Sequence, residues 1–124
     1  MEVIKSHKDL RVYQQSFEMA MEIFEVTKKF PKEETYSLTD QIRRSSRSVC
    51  SNVTEAFRRR KYVKSFASKL NESEAEAAET QNWLDFALAC NYIKKEVHLK
   101  LYREYDNILG MLVNMQKKPE KWQL

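Results

Sequence analysis

Apolar residues recur at intervals of three and four along almost the whole chain, in four runs parted by short polar or proline-containing stretches. That spacing belongs to helices with one buried face. The first run reads Leu10, Tyr13, Phe17, Ala20, Phe24 and Thr27, and a second stripe of Val12, Ser16, Met19, Ile23, Val26 and Phe30 lies beside it. Two adjacent stripes make a face wider than one bundle seam requires, so this helix either sits deep in a bundle or meets another subunit. The second run, Leu38, Ile42, Ser45, Val49, Val53 and Ala56, is thin in apolar bulk, with Ser45, Ser46, Ser48 and Ser51 crowded near it. Small side chains admit a neighbouring backbone, which predicts a central helix packed on more than one side.

The third run carries Val63, Phe66, Leu70, Ser73, Ala77, Thr80, Leu84 and Ala87. Its small middle turns match the second run and predict close packing of the two helices. Leu101, Tyr105, Ile108, Leu112 and Met115 mark the fourth helix, with Tyr102, Leu109 and Val113 as a second row. Ser6 and Asp9 are placed to start the first helix, and Ser37 or Thr39 to cap the second. Phe30-Pro31-Lys32-Glu33-Glu34-Thr35-Tyr36 reads as a loop, because proline disfavours helix in the residue before it. Four like charges in a row place a break near Arg60 to Tyr62, Asn91-Tyr92-Ile93 reads as a turn, and Pro119 ends the last helix. The expectation is a single all-α domain over residues 1–124, an antiparallel up-down-up-down four-helix bundle with helices about 9–29, 38–59, 63–90 and 95–117.

Composition narrows the function. One glycine and two prolines leave little material for the tight turns of an all-β fold or the phosphate-cradling loops of nucleotide-binding α/β folds. No apolar run approaches the roughly 20 residues needed to span a membrane, and no signal-peptide stretch opens the chain, so a cytoplasmic protein with no membrane partner is expected. Cys50 and Cys90 then read as free thiols. Enzymatic constellations are thin. Neither His7 nor His98 stands three residues after a glutamate, and the cysteines are not at zinc spacing, so no metal or other cofactor is expected. Glu72, Glu76 and Glu79 share a helical face and read as a solvated acidic surface. No residue pattern suggests catalysis.

Charge is lopsided where it matters. Gln41 to Lys69 holds nine bases and one acid, Glu55, although the whole chain is only +4. Arg43, Arg44, Arg47, Arg58, Arg59, Arg60, Lys61 and Lys64 are the candidate nucleic-acid contacts, since guanidinium groups grip phosphates and clustered cations release counterions from a polyanion. The alternative is a solvated basic face paired with the acidic third helix, where residues 70–93 hold five acids and no base. Arg44 with Glu55 is a candidate structural ion pair, and Asn52 a candidate internal hydrogen-bonding residue.

Five pieces resemble one family: Phe30-Pro31-Lys32-Glu33-Glu34, Leu38-Thr39-Asp40-Gln41-Ile42-Arg43-Arg44-Ser45, Ser51-Asn52-Val53-Thr54-Glu55, Phe57-Arg58-Arg59-Arg60 and Glu76-Ala77-Ala78-Glu79-Thr80. They are similar, in type and spacing, to the four-helix-bundle proteins encoded in intervening sequences of bacterial 23S ribosomal RNA genes. The resemblance runs from about Ser6 to Met115 and makes Asn52, Glu55, Glu76 and Glu79 motif residues. It implies a homopentamer with a basic surface, related to accessory proteins of diversity-generating retroelements that partner a reverse transcriptase and RNA. Cys50 stands where the family usually has proline, and Ala56 and Arg58 where it usually has glycine, which implies a more continuous second helix. Two functional classes stay open: an oligomeric RNA- or DNA-binding or accessory protein, and an oligomeric scaffold with no nucleic-acid role.

Overall fold

A computed structural model describes residues 4–122. Four α-helices, α1 (Arg11–Thr27), α2 (Leu38–Arg58), α3 (Val63–Ala89) and α4 (Lys95–Lys117), account for most of them, and the described residues contain no strand. Each helix packs on its neighbours in the order α1–α2–α3–α4–α1, and the backbones of the diagonal pairs stay apart. Short connections make successive helices antiparallel, as in an up-down-up-down four-helix bundle.

Ser6 caps a shorter element than the helix expected from it. Its hydroxyl accepts from the Lys8 amide at 3.2 Å while the Asp9 carboxylate accepts from the Ser6 amide at 3.1 Å. This reciprocal box closes a single 3-10 turn, His7–Asp9; Leu10 is then extended, and α1 starts at Arg11. Of the two α1 stripes, the second supplies most of the core, with Val12, Ser16, Met19 and Ile23 buried, whereas the first is split: Leu10, Ala20 and Thr27 are buried and Phe17 is 52% exposed. Polar members tolerate burial because their hydroxyls are satisfied within the helix. Ser16 Oγ donates to the Val12 carbonyl at 2.6 Å and Thr27 Oγ1 to that of Phe24 at 3.0 Å.

The cap of α2 comes from neither residue expected to supply it. Ser37 occupies the cap position without a side-chain bond to the backbone, and Thr39 is buried. Glu34, at the end of the 3-10 turn Lys32–Glu34, instead accepts from the Leu38 amide at 3.2 Å and from Ser37 Oγ at 2.5 Å. From there α2 runs unbroken to Arg58, and Arg59 to Tyr62 form the turn into α3.

The α2–α3 seam is the tightest part of the bundle. Ser45 Oγ meets Thr80 Oγ1 at 2.8 Å, Ser73 Oγ donates to the Val49 carbonyl at 2.8 Å, and Ala56 and Ala77 are wholly buried between the helices. On the other side of α3, Gln81 Nε2 donates to the Tyr102 carbonyl and to Asp106 on α4. Asn91 turns the chain from α3 to α4 with φ of 63°, a left-handed conformation asparagine tolerates. Leu101, Tyr105, Ile108 and Leu112 of α4 complete the core. The 3-10 turn Pro119–Trp122 then folds back on α3 and α4.

Candidate nucleic-acid interface

The basic residues of α2 separate into two groups with different surroundings. Arg43, Arg44 and Arg47 lie in the first half of the helix, beside the end of α1. Arg43 is half-buried: its Nε donates to Thr27 Oγ1 at 2.8 Å, and its guanidinium lies 4.7 Å from the centre of the Phe24 ring. Arg47 and Lys28 share that ring at 5.7 Å and 4.8 Å. Exposed cation–π contacts are worth about 0.5–1 kcal/mol each, so Arg43 and Arg47 help to hold α1 against α2. Arg44 pairs with Asp40 one turn earlier, at 3.7 Å.

That pairing corrects the expected ion pair of Arg44 with Glu55. Eleven residues of helix put the two about 16 Å apart along the axis. Glu55 reaches across to Lys69 of α3 at 3.5 Å, and Lys69 also holds Glu72 at 2.8 Å. Among the described residues, the one ion pair between α2 and α3 therefore has its base on α3, the reverse of a basic α2 neutralised by an acidic α3. The other motif residues also serve this seam. Asn52 Nδ2 donates to the Ser48 carbonyl at 3.0 Å and to its hydroxyl at 3.2 Å. Glu76 sits half-buried near Ser48; burial first, and then the neighbouring Glu79 charge, push its carboxyl above the usual range.

The second group surrounds the turn between α2 and α3. Arg58, Arg59, Lys61 and Lys64 are exposed, and among the described residues none of them forms an ion pair. Glu55, one helical turn before Arg59, is taken by Lys69. Arg60 is the exception in this run. Its Nη1 donates to the Phe57 carbonyl at 2.7 Å and its guanidinium stacks 3.8 Å from the Phe57 ring centre, capping the open carbonyl end of α2.

Topology adds cations that no local sequence pattern contains. With four antiparallel helices, the start of α1 and the end of α4 lie at the same end as the α2–α3 turn. Lys5, Lys8 and Arg11 therefore join Arg58, Arg59, Lys61 and Lys64 from one side, and Lys117, Lys118 and Lys121 from another. The acids among the described residues of those two terminal segments are Asp9 and Glu120. Asp9 is occupied, its carboxylate accepting from the amides of Lys5 at 2.8 Å and Ser6 at 3.1 Å, which hold its pKa below the ordinary value. The opposite end mixes signs, with Lys28 on Glu25 and His98 on Asp85. An even number of helices of similar length was the signal in the sequence that could have joined the two termini to the turn.

No group of three or more histidine, cysteine or acidic side chains among the described residues could hold a metal, and no helix is long and apolar enough to cross a membrane.

A solved structure of a protein of unknown function from the S23 ribosomal protein family of Bacteroides thetaiotaomicron is similar to this chain, with a TM-score of 0.78 and 29% identity over 86% of this chain and 95% of that one. No curated protein matches. The sequence model of the 23S rRNA-intervening sequence proteins matches residues 8–114, nearly the whole bundle, and the chain belongs to that family.

Proposed function

We propose that the protein is a non-enzymatic, cytoplasmic nucleic-acid-binding assembly that meets the phosphate backbone with the basic end of its bundle. One observation carries this reading: three separate segments bring Lys5, Lys8, Arg11, Arg58, Arg59, Lys61, Lys64, Lys117, Lys118 and Lys121 to one end, against Asp9 and Glu120. Cations so gathered raise the local concentration of a polyanion and gain counterion release on binding. RNA, the product of the ribosomal genes that give the family its name, is the first ligand to test, with DNA beside it. A reverse transcriptase, or another enzyme acting on nucleic acid, is the protein partner the resemblance implies.

Association of copies is part of the proposal. Phe17 and Met21 on α1 are 52% and 48% exposed, and Phe86 on α3 and Leu99 on α4 are 52% and 49% exposed at a different place. Two distinct apolar patches suit a head-to-tail contact that closes into a ring, and a ring multiplies weak phosphate contacts. Five copies is the number implied by the resemblance. Light scattering should show a multiple of 14.8 kDa at both low and high salt; a monomer in both removes the ring.

The decisive experiment is a salt titration of binding to a structured RNA. Sub-micromolar affinity with a steep negative salt slope is expected. Arg58→Ala with Arg59→Ala should flatten the slope by about 0.9 for each duplex phosphate that is no longer neutralised. Arg44→Ala, whose partner is Asp40, should leave it unchanged. A slope indifferent to Arg58 and Arg59 removes this reading. The second reading, an oligomeric scaffold without nucleic acid, draws support from Arg43, Arg47 and Arg60, which are engaged with aromatic rings of their own chain. A ring with no affinity for RNA or DNA favours it.

A further inference from the structure

A cavity of about 590 Å³ opens at the basic end, between the start of α1, the last turns of α4 and the Pro119–Trp122 turn. Its walls are mostly apolar, with Leu10, Val12, Met111, Met115 and Trp122 among them. Arg11, Lys117, Lys118 and Lys121 line it as well, and Asn114 supplies an exposed amide. That size and lining, apolar walls with a few convergent polar groups, suit a small ring system with an anion attached. A free anion has no use for the walls, and an uncharged aliphatic ligand none for the cations.

We infer that this cavity receives one unpaired nucleotide, its base against Trp122 and the two methionines and its phosphate among Arg11, Lys117, Lys118 and Lys121. The inference rests on the nucleic-acid reading above and deepens it: the α2–α3 turn holds backbone, and the cavity takes a base that is out of the stack. Unstacked bases are what proteins read in RNA, by aromatic stacking and by hydrogen bonds to base edges. Asn114, with one amide donor side and one acceptor, can bond such an edge, and adenine offers the matching pair. Asp9 lines the cavity too, its Oδ2 accepting from the Lys5 and Ser6 amides, and the four cations outnumber its single negative charge.

The test compares a blunt RNA duplex with the same duplex carrying a single unpaired adenosine at one 3′ end, by fluorescence anisotropy on the full chain. At least tenfold tighter binding of the second is expected. Met111→Trp, which fills the cavity, and Trp122→Ala, which removes a wall, should each abolish that preference while blunt-duplex affinity stays as in wild type. Melting curves recorded alongside show that the variants are folded. If one of the two fails to fold, the other still decides. Equal affinity for the two RNAs, or a preference that survives both variants, overturns the cavity proposal while leaving the backbone reading in place. No affinity for either RNA overturns both.

Discussion

Ser45 Oγ and Thr80 Oγ1 lie 2.8 Å apart across the α2–α3 seam, both buried, and Thr80 Oγ1 also reaches the Glu76 carbonyl at 2.9 Å. Two hydroxyls on facing helices can come this close only where the backbones are near. The Ser45→Trp or Val49→Trp variant therefore has no space, and overpacking of about 1–3 kcal/mol or more is expected. A thermal melt unchanged by either substitution would show that the seam is not the packed centre of the bundle. Ser45→Ala should cost far less, about 1 kcal/mol, since Thr80 keeps a partner.

Tyr105 sits in the core of α4 with no exposed surface, and among the described residues its hydroxyl has no hydrogen-bond partner. An unsatisfied buried polar group costs about 1–3 kcal/mol. Tyr105→Phe should raise the denaturant midpoint without altering the slope of the transition. A lower midpoint would show that the hydroxyl is satisfied in solution.

How much of this was legible in the sequence differs from element to element. In α2, α3 and α4 every residue of the main apolar stripe is buried, Val63 at the exposed start of α3 excepted, while the second row of α4, Tyr102, Leu109 and Val113, is half-buried. In α1 two stripes compete, and the aromatic one has more apolar bulk. Which is buried depends on what α2 and α4 present, a non-local fact. The Arg58 to Lys64 cluster is contiguous and was visible. The cations at the two chain ends were not, because only the topology brings them there. Arg43 and Arg47 looked free because Phe24, the ring they cover, belongs to another helix.

Cys50 and Cys90 should react very differently. Burial pushes the Cys50 thiol up to about 12, whereas Cys90 stands exposed at the end of α3. The thiolate is the nucleophile, so the folded chain should take up one alkyl group in mildly alkaline iodoacetamide and the denatured chain two. Peptide mapping that finds Cys50 modified in the folded protein would contradict the packing beside it.

Glu34 ties the two loops at one end of the molecule together. Ser37 Oγ, Tyr92 Oη at 2.8 Å and the Leu38 amide all donate to its carboxylate, and these bonds hold its pKa below the ordinary 4.5. The folded value is the lower one, so the stabilisation is complete above the unfolded value and is lost as pH falls through the folded value. Glu34→Gln should lower the melting temperature at neutral pH. The gap to wild type should close in acid, below the ordinary carboxylate range. A gap that is constant with pH would show that the Glu34 charge contributes nothing.

The gathering of charge at an end, and not along a side, sets a size limit on what the protein can cover. A ligand held there meets the cross-section of the bundle, two helices wide, which is about 20 Å. At about 3.4 Å per step along each strand, one copy spans about six base pairs of a duplex. Longer helices would not extend that footprint; only additional copies side by side would.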